Sequence, residues 1–140
     1  MIALELMEHI DSVESFAGEI ARVLRPGGVC LVSTPARLRS LVQGEPHYHL
    51  KGLTLLPLAL QRAVATRVFG RSYPFPIPRQ YATASQVIRP FAAYGLRGTA
   101  VCDGRLGRLV EGRSLLRRAA RELMWSFIVV TKPAAAAQAA

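Results

Sequence analysis

Five side chains in two short stretches of the sequence could hold a cation or activate a hydroxyl group. Glu5, Glu8 and His9 stand where an apolar, strand-like segment gives way to a loop. Two carboxylates and an imidazole at this spacing could converge on a divalent cation such as magnesium. His47 and His49 lie two residues apart, so in an extended segment they would share one side and one of them could add a further ligand. The sequence therefore predicts these five residues as candidate metal ligands, with one of His47 or His49 completing the set.

Residues 8–35 encode the helix and strand that must position Glu5, Glu8 and His9, which we call the first corner. Asp11 can cap a helix, and Glu14 three residues later completes an aspartate version of the capping box. Apolar residues then repeat at helical spacing: Phe16, Ile20, Val23 and Leu24. Pro26-Gly27-Gly28 ends the helix, and the apolar run of residues 29–34 predicts a strand buried on both faces. A polar corner, a helix, a glycine turn and a strand in this order form half of a parallel α/β unit.

The ordered combination of these motifs resembles the middle of a class I S-adenosylmethionine-dependent methyltransferase. The residues that carry the resemblance are Glu8-His9-Ile10, Phe16, Glu19, the run Arg22-Val23-Leu24-Arg25-Pro26-Gly27-Gly28, and Ser33-Thr34-Pro35. In that family this stretch covers the fourth strand, the helix after it and the fifth strand, and the likeness extends more loosely to Lys132. The resemblance implies an α/β fold, the C-terminal half of a Rossmann-like methyltransferase sheet. We expect about four strands, mostly parallel with the last one antiparallel, and a helical insert.

The resemblance also shows what the printed sequence lacks. Such enzymes are expected to begin with a strand, a glycine-rich turn and a second strand that ends in an acidic residue, and none of these precedes Met1. We therefore expect residues 1–133 to be a partial methyltransferase domain that is inactive alone. The predicted strand 2–7 would then have an open edge, which predicts aggregation, a dimer or a complementing N-terminal fragment.

The resemblance assigns roles to the residues of the first corner. Glu5-x-x-Glu8-His9 looks like the pattern of metal-assisted O-methyltransferases, including the quinone-biosynthesis type and the small-RNA 2′-O type. There Glu5, Glu8, His9 and one of His47 or His49 would bind a cation that holds the acceptor hydroxyls. Glu8 and His9 would be catalytic. The S-adenosylmethionine cofactor would lie against Leu6, Met7 and Glu8, and the acceptor would be a small or lipid-like molecule. In other relatives the Glu-His pair is kept without a metal, with the Glu bonded to backbone and the His lining the cofactor pocket.

Residues 36–80 predict an insert or lid on the substrate side of the domain. The stretch around Arg37 and Arg39 is loop-like, and residues 53–69 predict a helix interrupted or begun near Pro57. Its apolar face would consist of Leu56, Leu60, Val64 and Val68. The alternating prolines of residues 73–78 predict an extended surface segment.

The remainder predicts two further helices and two strands. A helix over 84–94 can be capped by Thr83 or Ser85, and a strand follows at 96–102. The basic stretch 106–121 should be helical in its second half, with Leu115 and Leu116 facing inward. Residues 127–131 predict the last strand, and 134–140 a disordered tail.

Composition narrows the function classes. A chain of 140 residues with 51% hydrophobic residues predicts a single globular domain. The net charge of +9 suits nucleic acid, but the arginines are scattered, so an RNA-binding or RNA-modifying module is only a third hypothesis. Two cysteines, no signal-peptide pattern and no apolar run of roughly 20 residues predict a cytoplasmic protein without a transmembrane segment. Beside the enzyme, the second hypothesis is a non-catalytic remnant or interaction subunit of methyltransferase descent.

Overall fold

The computed structural model describes residues 1–102, residue 108 and residues 114–134, arranged around a four-stranded mixed sheet. The strands are β1 (Ile2–Ala3), β2 (Val29–Val32), β3 (Arg97–Val101) and β4 (Phe127–Thr131), in the order β1-β2-β4-β3. β1 and β2 are parallel, whereas β4 runs antiparallel to both β2 and β3. The prediction of an antiparallel last strand is confirmed. β1, β2 and β3 run in the same direction, so the prediction of mostly parallel strands is confirmed for the described sheet, although the position of β4 between β2 and β3 makes two of the three pairings antiparallel.

β1 is much shorter than the predicted strand 2–7. Glu5 has a left-handed backbone with φ of 48°, which cannot continue an extended strand. The Glu5 amide donates to the Ser33 hydroxyl oxygen at 3.0 Å, and the Ser33 hydroxyl donates to the Glu5 carboxylate at 2.7 Å. The chain is therefore fastened to the end of β2 and turns away from the sheet.

Five helices and one short turn of 3₁₀ helix connect the described strands. They are α1 (Val13–Val23), α2 (Arg37–Gln43), the 3₁₀ turn (Leu53–Leu55), α3 (Leu58–Arg67), α4 (Ala84–Ala92) and α5 (Leu115–Met124). Ser12, not Asp11, caps α1, because Ser12 is the extended residue directly before the helix and its side chain accepts from the Ser15 amide. Thr83 caps α4 in a complete capping box with Gln86, so one of the two predicted caps is confirmed.

The main hydrophobic core lies between the sheet and helices α1 and α4. Its side chains include Ile20 from α1, Val87 and Phe91 from α4, and Cys30 and Val130 from the central strands, all of them buried. Each such side chain removed from water contributes about 1.5–3 kcal/mol. This core fixes the ends of β1, β2 and β4, where the polar residues discussed below are found.

Residues 36–80, which connect β2 to α4 and are called the insert below after the prediction, have their own small cluster of buried hydrophobic residues, Tyr48, Leu53 and Ala65. The loop predicted around Arg37 and Arg39 is wrong, since these residues begin α2. Of the predicted apolar face of α3, Leu56 and Val64 do pack against this cluster, whereas Leu60 and Val68 do not.

The buried side of α3 carries Gln61 and Ala65, whereas Leu60 and Val68 are exposed. The Gln61 amide group donates to the Leu56 carbonyl at 3.0 Å and exchanges two hydrogen bonds with Gln80. These hydrogen bonds orient the helix with Gln61 inward. The spacing of apolar residues alone does not predict this orientation.

Helix α5 differs from the prediction in the same way. Leu115 and Leu116 are each 82% exposed instead of facing inward. The helix is held through Glu122, whose carboxylate accepts from both the amide and the hydroxyl of Ser85 at the start of α4. Residues 103–107, 109–113 and 135–140, which include most of the glycine- and arginine-rich stretch and nearly all of the predicted tail, lie outside the described residues. In the described part of the chain, no helix is both long and apolar enough to cross a bilayer.

Candidate metal centre

Glu8, His9 and His47 come together at the carboxyl end of β1. Glu8 and His9 belong to the turn after β1, and His47 belongs to the insert loop between α2 and the 3₁₀ turn. One ligand atom from each residue lies within 4.8 Å of the others. Oε1 of Glu8 is 3.9 Å from Nε2 of His9 and 3.9 Å from Nε2 of His47, and the two Nε2 atoms are 3.3 Å apart. The ligand atoms of three of the five candidate residues therefore converge closely enough to contact one ion.

The partners of the two rings determine which nitrogen carries the proton. Nδ1 of His9 lies 2.8 Å from the carbonyl oxygen of Pro76, and Nδ1 of His47 contacts the carboxylate of Glu45. Because these partners only accept hydrogen bonds, each Nδ1 is the donor. In the neutral rings both Nε2 atoms then present lone pairs to each other, an arrangement that suits a cation between them.

Glu8 supplies a buried and uncompensated negative group. The residue is 1% exposed, and neither carboxylate oxygen has a hydrogen-bond partner among the described residues. Burial raises the pKa of the Glu8 carboxyl, and the nearby Glu5 charge adds to the rise. The Glu8 amide and the Thr34 hydroxyl lie close enough to oppose part of this rise without reaching good hydrogen-bond geometry. A buried carboxylate in this state is stabilised by a proton or by a metal ion.

Glu45 is a functional candidate that the sequence analysis missed. It is buried, and its carboxylate accepts from the backbone amides of His47 at 2.9 Å and Tyr48 at 2.8 Å as well as contacting the His47 ring. A carboxylate on the far nitrogen of a metal-binding histidine fixes the ring and raises its basicity. Its position two residues before His47 was the available signal.

Tyr73, also missed, closes the other side of the cluster. Its hydroxyl lies 3.4 Å from Nε2 of His9. Its ring stacks on His9 with centroids 5.9 Å apart and meets His47 edge-on at 4.6 Å. Tyr73 therefore restricts water on the face of the cluster that the insert covers.

Two predicted ligands do not join the cluster. The Glu5 carboxylate is bound by the Ser33 hydroxyl and is not part of the group of converging atoms. His49 is exposed and has a left-handed backbone with φ of 55°. Its amide donates to the Glu45 carbonyl at 2.7 Å, so residues 45–49 form a turn and not the extended segment that the spacing suggested.

The residues that the resemblance assigns to the cofactor have different environments. Leu6 is exposed, whereas the Met7 side chain lies fully buried in the main core. The Met7 carbonyl accepts a hydrogen bond from the Tyr81 hydroxyl at 3.2 Å. Met7 could thus meet a cofactor only through its backbone, while contacts of Leu6 and Glu8 with S-adenosylmethionine stay a prediction.

Known proteins add no further constraint on this site. No family model, curated protein or solved structure matches the chain. The chemistry of Glu8, His9 and His47, with Glu45 and Tyr73 behind them, is therefore the basis for assigning a function.

Proposed function

We propose that this chain is part of an S-adenosylmethionine-dependent O-methyltransferase in which Glu8, His9 and His47 bind a divalent cation. The convergence of these three side chains, with both Nε2 atoms available, is the observation that carries the proposal. The motifs of residues 8–35 support the family. The antiparallel last strand beside β2 is the arrangement expected from that resemblance.

The donor set bears on the identity of the cation. Magnesium prefers oxygen ligands, whereas two imidazole nitrogens and one carboxylate suit manganese, iron or zinc. We therefore favour manganese or zinc over magnesium, and the buried Glu8 carboxylate supplies the negative charge that such an ion requires.

The protein residues would orient and activate the acceptor. A bound cation would supply a Lewis acid that lowers the pKa of an acceptor hydroxyl. Glu45 and the Pro76 carbonyl hold the two rings in the ligating tautomer, and Tyr73 limits access of water. Methyl transfer is an in-line displacement, so alignment of the acceptor oxygen is the main contribution required of the chain. The acceptor would be a small or lipid-like molecule with a hydroxyl group.

A second candidate is a non-catalytic interaction subunit of the same descent. The exposed apolar side chains of Ile2, in β1, and Leu4, directly after it, favour this function because they lie at the open edge of the described sheet. A complementing polypeptide or a second copy could cover this edge.

Thermal unfolding with and without added cation tests the metal centre. After chelation, manganese or zinc should raise the Tm of the protein, because a ligand that binds only the folded state stabilises it. His47→Ala should abolish this increase. His49→Ala is the matched control, since His49 is exposed, two residues away and outside the cluster, and it should leave the increase intact. Equal behaviour of the two variants, or no increase in the unaltered protein, would overturn the metal proposal.

Calorimetry with S-adenosylmethionine then separates the two candidate functions. Binding by the cation-loaded chain supports a methyltransferase. A chain that binds manganese or zinc through His47 but shows no heat with S-adenosylmethionine supports the interaction subunit, and addition of a complementing N-terminal fragment should restore binding if the cofactor half is separate.

A further inference from the structure

An open groove of about 400 Å³ lies between the first turn of α3 and the proline-rich segment 75–78. Small-molecule sites commonly have volumes of roughly 300–1,000 Å³, so the groove is large enough for a ring-sized ligand. Most of its wall is apolar, with Leu58 and Ala59 on the helix side and Phe75 and Ile77 on the other. None of the described residues in the wall is acidic. The polar groups of this groove therefore determine which ligand it suits.

The first turn of α3 leaves two backbone amides without partners. Pro57 precedes the helix and provides no side-chain cap, while its carbonyl accepts from the amides of Leu60 and Gln61. The amides of Leu58 and Ala59 have no hydrogen-bond partner in the part of the chain that the structure describes. This turn carries no acidic side chain. Unpaired N–H groups and the helix dipole both favour an anion at such a position.

The Tyr48 hydroxyl is a second, independent donor in the wall. The residue is 4% exposed and belongs to the hydrophobic cluster of the insert, which holds the ring in place. Its hydroxyl has no hydrogen-bond partner among the described residues, but the oxygen keeps some accessible surface, so a ligand in the groove can contact it. Burial raises the pKa of Tyr48 above its ordinary value of 10.0. The hydroxyl therefore stays protonated at neutral pH and can donate.

Arg62 adds a positive charge to these donors. It lies one turn after Leu58 on α3, is exposed, and has no hydrogen-bond or ion-pair partner among the described residues. Side chains of a helix lean toward its N-terminus, so Arg62 extends toward the turn with the unpaired amides. Its charge opposes part of the rise in the Tyr48 pKa, which places the guanidinium near the hydroxyl as well. Amides, guanidinium and hydroxyl thus face one region of the groove.

We propose that this groove binds a phosphomonoester that carries an apolar, ring-sized group. The phosphate accepts from the two unpaired amides of α3, from Arg62 and from the Tyr48 hydroxyl. Donors from a helix end, a side chain one turn later and a separate loop suit a tetrahedral group with three terminal oxygens, and hydrogen bonds to a charged acceptor are the stronger ones. The apolar group packs on Phe75, whose ring is 62% exposed without it.

Calorimetric titration with phenyl phosphate, in the presence of a chelator, tests the proposal. Phenyl phosphate should bind, whereas inorganic phosphate, which lacks the ring, and phenol, which lacks the charge, should each bind at least about tenfold more weakly. Arg62→Gln should weaken binding of phenyl phosphate about tenfold and Tyr48→Phe severalfold. Arg67→Gln is the matched control, because it removes the same charge from an exposed residue of α3 outside the described wall, and it should change nothing.

Nuclear magnetic resonance locates the bound anion. On addition of phenyl phosphate the amide signals of Leu58 and Ala59 should shift, while those of β4 should not. The site is overturned by any of four outcomes: no binding of phenyl phosphate, equally tight binding of phenol or inorganic phosphate, equal effects of Arg62→Gln and Arg67→Gln, or unmoved signals of the two amides.

The tests of this groove and of the metal centre are independent. If Tyr48→Phe fails to fold, Arg62→Gln carries the test, since Arg62 is exposed. The chelator removes any cation from Glu8, His9 and His47, so failure to bind phenyl phosphate leaves the effect of manganese or zinc on Tm untouched. Conversely, binding of phenyl phosphate by a protein that does not respond to cation or S-adenosylmethionine retains this site and removes the proposed function.

Discussion

The sheet region and the insert are held together by different forces. Among the residues that the structure describes, sixteen buried hydrophobic residues form the main core, against three in the cluster of the insert. The insert instead buries polar side chains that are hydrogen-bonded, among them Glu45, Thr54 and Gln61. The candidate metal centre joins the two regions, since Glu8 and His9 come from the first and His47 from the second. Apolar burial thus fixes one half of the site and specific hydrogen bonds fix the other.

The largest expected effect is a loss of stability on substitution in the sheet region. Phe91 is fully buried in the main core and packs edge-on against Phe16 with centroids 6.1 Å apart. Phe91→Ala should lower the free energy of unfolding by about 3–5 kcal/mol, as measured by denaturant titration. Phe69→Ala is the control in the insert, where Phe69 is 55% exposed and its loss should cost little. Similar costs for the two changes would mean that the buried Phe91 side chain contributes no more to stability than an exposed side chain of the insert.

The next effect should be confined to the insert. Glu45→Gln removes the charge that holds the His47 ring and the amides of His47 and Tyr48, at a cost of about 2 kcal/mol. Hydrogen exchange should accelerate at these two amides, while the amides of β4 keep their protection.

Glu19→Gln is the matched control for that experiment. Glu19 is an exposed acid that pairs with Arg22 on α1, so its change should leave both sets of amides protected. Loss of protection in β4 on Glu45→Gln would show that the insert and sheet unfold as one unit.

The sheet region was predictable because its signals are local and repeated. The spacing of Phe16 and Ile20 indicated α1, and the apolar run from Val29 indicated β2. The prediction that this strand is buried on both faces is wrong, because Cys30 and Val32 are buried whereas Val29 is 49% exposed. The insert gave no such period. In the insert, the hydrogen bond between Gln61 and Gln80 helps to orient α3. These residues are 19 positions apart, so a local sequence pattern does not predict the contact.

The candidate site was predictable in part for the same reason. Glu8 and His9 stand next to each other after β1, so their proximity follows from the sequence. The choice of His47 over His49 depends on a turn closed by the Glu45 carbonyl, and Tyr73 reaches His9 from 64 residues away. Such contacts are properties of the folded chain and not of its spacing.

A smaller effect concerns pH and the boundary between the regions. Burial raises the pKa of Glu8 above its ordinary value of 4.5, so the folded protein binds this proton more tightly than the unfolded chain does. In the presence of a chelator, the free energy of unfolding should therefore fall as the pH rises from about 4.5 through the folded-state pKa. Glu8→Gln should flatten this dependence and modestly stabilise the metal-free protein at neutral pH. Denaturant titration at several pH values measures the free energy of unfolding. If this free energy falls with pH as steeply in Glu8→Gln as in the unaltered protein, the prediction is contradicted.

The smallest expected effect concerns the residue that caps α1 in the sheet region. Ser12→Ala removes the side chain that accepts from the Ser15 amide and should cost about 1 kcal/mol. Asp11→Ala, one residue earlier, should cost much less because Asp11 is not the cap. Thermal unfolding of the two variants compares their stabilities directly. A larger fall in Tm for Asp11→Ala would indicate that Asp11 is the cap, as the sequence suggested.

The position of β4 has a consequence for the order of events during synthesis. β4 lies between β2 and β3, and its Val130 pairs with both Cys30 and Gly98. A nascent chain emerges from the ribosome starting at its first residue, so β2 emerges long before β4, the strand that joins it to β3. Pairings between residues so far apart in sequence form slowly. Until residues 127–131 emerge, both strands expose unpaired edges, and we expect this protein to need a chaperone or low temperature for good yield.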